Sequence, residues 1–495
     1  MLSAHLAVWE RHPILHSAGE RGGTYRRFDH AALRHDTDML EDRSYPLPAT
    51  SPWWRGVSRY QWTVFAVTAG AWLLDNMDQR LFSLARIPAL TALMGATSSQ
   101  LEIQAFAKIA TALFLIGWGI GGLIFGAVGD RFGRVRVLTV VILIFSFGTG
   151  LTALCTSAWG FALLRLVTGI GIGGVFGLTV AILAESISGI ARVAMLALLQ
   201  VFSTVGNMGA AAVKMTVDTL AAHGAIPLTG SWRWLFALGA LPALLAVSSG
   251  LTLKEPGDWL RLKAAGHLPQ GWWGAYRLLL AEREDRRNLL IGTLLAVAGV
   301  VGLWGIGEYA VDLQDAVFGT YYRSRYLGPM VLEHVAAAKN LAYLLQMAGG
   351  AVGMAAFTFV AHRFGRRPAF LAGFSVAIVV TVMVYWRLAS PVDAYWMMPL
   401  MGAAQLSVFA GFSIYLPELF GARTRATGVS FAYNLGRFAA AGGSFFSAYL
   451  ATTIFGMLPE PLPLRYSAMT MCLVFLVGLA AALRAPETRN AQLRS

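Results

Sequence analysis

The sequence predicts an all-α membrane protein, with twelve transmembrane helices arranged as two pseudo-symmetric six-helix bundles. Three observations predict it. Hydrophobic residues make up 56% of the 495-residue chain and charged residues only 13%, against about 25% charged in an average soluble domain. Apolar runs of about 20 residues, the length that crosses the hydrocarbon core, recur throughout. Landmarks of the first half also return in the second at a nearly constant spacing of 232 residues. The mean hydropathy of +0.59 agrees.

Residues 1–58 are polar, and their Arg26–Arg27 pair lacks the apolar stretch of an export signal. They read as a weakly ordered cytoplasmic tail. The twelve apolar runs follow at 61–84, 105–127, 137–154, 160–184, 193–215, 232–252, 289–308, 339–360, 369–389, 396–417, 426–450 and 466–484. The longest charged insert, 253–288, divides the chain into bundles at 59–252 and 289–485, and 486–495 forms a second cytoplasmic tail.

Charge sets the orientation. A net charge of +13 would suggest nucleic acid in a soluble chain. Here the arginines gather in loops on one side: "DRFGRVR" (130–136), the 253–288 insert, "HRFGRRP" (362–368) and "FGARTRA" (420–426). The positive-inside rule makes that side cytoplasmic, with both termini there and the chain in the plasma (inner) membrane. Arg80, Arg86, Arg323 and Arg325 fall on the other side, so the assignment rests on excess. The bilayer, not nucleic acid, is the expected large partner. Cys155 and Cys472 each sit in an apolar run, which leaves neither a disulfide framework nor a cysteine metal site.

The repeat is visible in detail. "GDRFGR" (129–134) returns as "AHRFGR" (361–366), and "AESISGIAR" (184–192) as "PELFGARTR" (417–425). The seven-residue spacing of Glu185 to Arg192 is kept in Glu418 to Arg425. "GAW" (70–72) returns as "GLW" (302–304), and each half ends in a Pro/Glu pair, "KEPGDW" and "APETRN". A duplicated six-helix unit is the organisation expected where a solute binds between two rocking halves.

These motifs resemble the major facilitator superfamily. "GAVGDRFGRVRVL" (126–138) resembles its signature loop, and "RLVTGIGIGG" followed by "AESISGIAR" its fourth-span pattern. "PELFGARTRATGVSFAYNLGR" (417–437) and "PETRN" (486–490) are similar to its metabolite–proton symporters and sugar porters. The resemblance covers about 59–490 and implies a secondary transporter working by alternating access. It also implies a gating role for Gly126, Asp130, Arg131, Gly133, Arg134, Glu185, Arg192, Arg363, Gly365, Arg366, Glu418 and Arg425. His362 departs from the family's Asp, and "KEPGDWL" replaces the sugar porters' "PESPRWL", which weakens a sugar reading.

Physics supports the gating role independently. Small residues four apart (Gly117/Gly121, Gly122/Gly126) allow close helix packing. Asp130 can accept hydrogen bonds from a neighbouring helix N-terminus and from Arg134. The competing reading is an Arg-rich loop that only sets orientation.

Charges inside spans cost about 2.5–3.5 kcal/mol each near the bilayer centre, so each needs a reason. Asp75 and Asp78 are three apart on the first span and share a face. A carboxyl in low dielectric favours its neutral form, which makes Asp75 the candidate proton carrier and Asp78 its helper. Glu308 holds a similar place in the second half, after Trp304. Arg80, two residues from Asp78, is expected to reach the outer surface. Arg165, inside the fourth span, is expected to pair with an acid such as Asp75 or to clamp a substrate carboxylate. Lys108, Lys214 and Lys339 sit at outer span ends, on helices that in this fold line the cavity. There they would form a cationic vestibule suited to an anion, or else snorkel to headgroups.

Two strings invite error. "GWGIGG" (117–122) and "GIGIGG" (169–174) fit a dinucleotide fingerprint but lie inside apolar spans, so they are packing glycines. No Gly-Lys pair exists, which excludes a Walker A loop and direct ATP drive. Trp232 and Trp234 are expected in an outer aromatic belt. The resulting expectation is a monomeric, cofactor-free and metal-free transporter, not an enzyme, that moves a small polar metabolite. Organic acids stand ahead of sugars, with drug transport by the same fold a further alternative; H⁺ is the expected coupling ion and Na⁺ the alternative. A solute sensor without transport would need an output domain, and neither the tail nor the insert resembles one.

Overall fold

The computed structural model describes residues 52–95, 98–227, 230–271, 273–489 and 491–494, without the side chains of 100, 101, 308, 309, 329 and 444. Most of the predicted N-terminal tail therefore lies outside the described residues. The chain divides into a short unit, Met1–Gly56, where a single 3₁₀ turn at Trp53–Gly56 is described, and a helical unit, Val57–Ser495.

Among the described residues the helical unit holds fourteen helices and no strand. The first six are α1 (Arg59–Met94), α2 (Gln100–Phe132), α3 (Arg134–Thr152), α4 (Ala158–Ser186), α5 (Gly189–Ala222) and α6 (Ser231–Thr252). Two short helices follow, α7 (Gly257–Ala264) and α8 (Gly274–Ala281). The last six are α9 (Arg283–Arg323), α10 (Pro329–Arg363), α11 (Arg366–Arg387), α12 (Pro391–Leu419), α13 (Arg425–Tyr449) and α14 (Leu462–Arg484). Ten are long and apolar enough to cross a membrane. The other two long helices, α1 and α13, are more polar because they carry Asp75, Asp78, Arg80, Asn434 and Arg437.

Local chemistry sets the helix starts. Ser58 and Gln61 close a reciprocal capping box on α1, and Ser99 and Glu102 do the same on α2. Helix α1 runs a full ten residues beyond the predicted 84, carrying Pro88 within it. Helix α9 likewise extends past the predicted 308 and contains a π-helical turn at Val301–Ile306, an irregularity frequent at functional sites.

Close backbone approach organises the packing. A Cβ on Gly121 would lie 1.9 Å from the Ile170 carbonyl of α4, and one on Gly173 would lie 2.1 Å from that of Trp118 on α2. Both GxGxxG-like strings are therefore packing seams. The repeat reproduces this contact, since Gly353 of α10 and Gly402 of α12 meet the backbones of Ala403 and Gln346. Between the two sequence halves, α2 packs on α13 and α5 on α10.

The two Pro/Glu endings also acquire a purpose. Glu255 accepts hydrogen bonds from the Val135 and Arg136 amides at the start of α3, both at 3.1 Å. Glu487 does the same for Arg366 (2.9 Å) and Arg367 (3.0 Å) at the start of α11. Each carboxylate lies against a glycine in a left-handed turn, Gly133 (φ 113°) or Gly365 (φ 112°). The repeat thus preserves a tertiary cap on an N-terminus. Trp232 departs from expectation. It is buried against Phe161 and Phe236, while Trp234 alone faces outward.

Candidate functional site

A cavity of ≈ 150 Å³ lies between the halves. Helix α1 contributes Trp72, Asn76, Gln79, Arg80 and Ser83, a rise of about 16 Å along one face. Facing it are Gln200 and Asn207 of α5, Trp304 within the π turn of α9 and Gly307 just after it, Tyr343 and Gln346 of α10, and Tyr433 and Arg437 of α13. Aromatic rings build one wall, with Tyr433 stacked on Phe176 at 3.9 Å and Trp72 5.0 Å from Phe176.

Two arginines meet this space. The Arg437 guanidinium lies 3.3 Å from the centroid of Trp118 and 5.0 Å from that of Tyr433. The Arg80 guanidinium lies 3.9 Å from the centroid of Tyr343, on the other half. This corrects the surface-anchor expectation for Arg80. The α1 face that carries Asn76 and Ser83 also carries Arg80, and an aromatic ring across the cavity holds the cation by its π face. Nε of both arginines lacks a hydrogen-bond partner.

Asp75 is fully buried, and neither carboxylate oxygen has a hydrogen-bond partner. The charges acting on it are Arg437, from the other half, and Asp78. Asp78 instead accepts from the Thr149 hydroxyl at 2.6 Å and lies 3.6 Å from Arg165. Arg165 completes its coordination on Thr152 Oγ1 (2.6 Å) and the Gly148 carbonyl (3.2 Å). Arg165 is therefore an internal charge partner, as expected, but of Asp78 and not of Asp75. Three residues along a helix rotate the side chain by about 60°, enough to aim Asp75 at α13 and Asp78 at α3 and α4. Glu308 belongs to α9, but its side chain lies outside the described residues.

The lysines do not form a bare cationic vestibule. Lys214 pairs with Asp218 one turn on, and Lys339 with Asp315 of α9 at 2.5 Å. Lys108 is exposed and acts, together with Lys339, on Asp312. Aspartates placed beside these lysines offset their charge.

At the arginine-rich end, ion pairs cross between the halves. Asp130 accepts from the Ala426 amide (3.2 Å) and the Thr427 amide (2.8 Å) at the start of α13, and pairs with Arg134 at 3.2 Å. Arg134 reaches Glu185 at 3.0 Å and donates to the Ala422 carbonyl at 2.5 Å. Glu185 forms no ion pair with Arg192 among the described residues. It pairs with Arg425 at 2.6 Å, while Glu418 takes Arg366 at 2.7 Å and acts on Arg192. Gly126 packs on Ser430 and Ala426 of α13. Arg363 is exposed and Arg131 lies over Phe132, so both stand outside this network.

Sequence reasoning missed Arg437, although its position mid-way along the 426–450 run carries the same cost argument as Asp75. Its partners Trp118 and Tyr433 carried no signal, because ordinary aromatic residues become a cation cradle only when distant helices meet.

The family profile of sugar (and other) transporters matches residues 89–267 and 318–495. The chain belongs to that family, within the major facilitator superfamily, and is an integral membrane transporter, not an enzyme. It is 27% identical over 387 residues to a putative metabolite transport protein of Haemophilus influenzae, covering 78% of this chain and 88% of that one. It is 27% identical over 330 residues to the cis,cis-muconate transport protein of Acinetobacter baylyi, covering 66% and 74%. The proton:xylose symporter XylE bound to 6-bromo-6-deoxy-D-glucose shares its fold at a TM-score of 0.67, with 19% identity over 88% of this chain and 98% of that one.

Proposed function

We propose that this transporter is a proton-coupled symporter for a small organic acid. The observation that carries the reading is the arrangement of Arg80 and Arg437 on one small cavity, beside a buried carboxyl, Asp75, without a hydrogen bond. Arginine presents a planar fork that matches a carboxylate, and the amides of Gln79, Gln200 and Gln346 suit a second polar group. A cavity of about 150 Å³ accommodates one benzene-sized ring, which favours a compact acid. The muconate transport protein among the relatives points the same way.

Asp75 carries the coupling proton in this reading. An ion buried without hydrogen bonds costs several kcal/mol, and protonation removes that cost. Proton loading neutralises Asp75 and leaves Arg437 free to hold the substrate carboxylate. Loss of the proton returns Arg437 to Asp75 and expels the acid. Asp78 with Arg165 fixes the first half around this exchange.

Alternating access follows from bundles 59–252 and 289–485 rocking about the cavity, joined by 253–288. The gating residues of the arginine-rich end hold that end shut in this state. Arginine excess makes it the cytoplasmic end, with residues 1–58 and 486–495 on that side of the inner membrane. Each chain carries its own cavity, so a monomer suffices.

The test uses purified protein in vesicles with an imposed pH gradient and a panel of ring-bearing organic acids and sugars. Gradient-dependent accumulation of an acid supports the proposal. Accumulation that follows Na⁺ replacement and ignores pH assigns the coupling to Na⁺, and accumulation of sugars alone refutes the substrate class.

A further inference from the structure

A groove of ≈ 870 Å³ opens on the flank of the helical unit, apart from the central cavity. Its walls are one face of α2, the helix α8 and Phe431 of α13. Ile120 and Ile124 on α2 and Leu280 on α8 are exposed there. Since α2 is a membrane span, hydrocarbon and not water bathes that face.

Helix α8 is pinned in place across the groove. The Tyr276 hydroxyl donates to the Leu123 carbonyl of α2 at 2.6 Å, and its ring sits 6.1 Å from Phe431. Burial pushes the Tyr276 phenol well above its usual range, so it remains a donor. Trp273 at the groove mouth is 66% exposed. Exposed Trp beside Tyr favours the headgroup level, which sets the mouth at the membrane surface.

Charge identifies the occupant. Arg277 of α8 lines the groove, and Arg131 lies one turn beyond Ala127 and Val128 on the same face of α2. Neither forms an ion pair among the described residues. We propose that the groove binds one anionic glycerophospholipid of the adjoining leaflet, with acyl chain along Ile120 and Ile124 and phosphate between Arg131 and Arg277. An apolar trough with one lining cation, Arg277, and a second, Arg131 beside Phe132, one turn further along α2 suits the acyl chain and phosphate of such a lipid better than a small water-soluble anion. It also gives Arg131, which stands outside the gating network, a ligand of its own.

Native mass spectrometry of the full-length chain, with phosphatidylglycerol or phosphatidylcholine supplied in detergent, tests this. The wild-type chain should retain one phosphatidylglycerol in preference to phosphatidylcholine. Arg131→Gln and Arg277→Gln should each weaken phosphatidylglycerol about fivefold, the effect of one basic residue at a membrane surface, and leave phosphatidylcholine unchanged. Ile124→Trp, which fills the trough from an exposed position, should abolish retention while the protein stays monodisperse and helical. Equal retention of the two lipids by the wild-type chain overturns the proposal, as does unchanged phosphatidylglycerol in Ile124→Trp and Arg277→Gln. A dimer that Ile124→Trp dissociates would seat a second copy in the groove and overturn it too.

Discussion

Glu185 of α4 and Arg425 of α13 meet at 2.6 Å with both side chains fully buried. They stand 240 residues apart and come from opposite halves of the duplication. Glu185 also holds Arg134, and Arg425 also donates to the Arg494 and Pro417 carbonyls. One carboxylate therefore ties two helices of the first half to the start of the eleventh span.

Removing that carboxylate should open this end. Breaking a buried pair by deleting one partner costs about 3–5 kcal/mol, here charged only to the state that forms the pair. Glu185→Gln should therefore raise labelling of a cysteine placed at the buried Ser430 of α13, a near-isosteric change, by a water-soluble thiol reagent, and should slow net transport at least tenfold. Unchanged labelling would deny the pair a gating role.

Asp75→Asn should abolish accumulation driven by a pH gradient and preserve solute exchange at equal pH, because exchange needs no net proton movement. In the wild-type protein, uptake should rise as external pH falls, since a symported proton then enters down a steeper gradient. Initial rates of labelled-acid uptake across external pH measure both effects.

Asp78→Asn should act differently, through stability. It strands Arg165 among Gly148, Thr152 and Phe236 without its counter-ion, at a cost of about 3–5 kcal/mol. A thermal-unfolding scan in detergent should show a lower Tm, and Asp75→Asn should show none of that loss. Equal shifts in both variants would contradict the separate roles.

Arg437→Gln should raise KM for an organic acid by about 10- to 150-fold, the value of one charge-assisted contact of 1.5–3 kcal/mol. Its neutral amide analogue should lose far less. Arg80→Gln should behave similarly in a smaller degree where the Tyr343 stack holds the cation back from the ligand. Competition between acid and amide for uptake reads this out.

Gly133→Ala should destabilise the fold more than Gly189→Ala. A Cβ on Gly133 would lie 2.4 Å from the capping Glu255 carboxylate, whereas nothing lies within 4 Å of one on Gly189, although both have positive φ. Glu255→Ala alone should cost about 0.5–2 kcal/mol, as loss of an N-terminal cap does. Paired thermal scans decide the order.

Much of this was legible in the chain. Hydropathy marks the spans because lipid tolerates no unpaired backbone, and duplication leaves its spacing in the landmarks. A charge inside a span announces itself by its cost, so Asp75, Asp78 and Arg165 stood out, and Arg437 could have.

Partnership was decided elsewhere. Sequence spacing showed Glu185 and Arg192 only as a repeated landmark and left Arg80 at the surface, while the tertiary structure crosses Glu185 to Arg425 and folds Arg80 onto Tyr343. Equal spacing in two repeats records common ancestry of the halves, not contact within either. Contacts between halves depend on the rotation of each helix about its axis and on which faces oppose, and packing sets these between residues hundreds of positions apart. The sequence by itself determined the class, the spans and the costly charges. Only the tertiary structure decided which charge answers which, because a buried ion takes the partner that geometry delivers within hydrogen-bond reach.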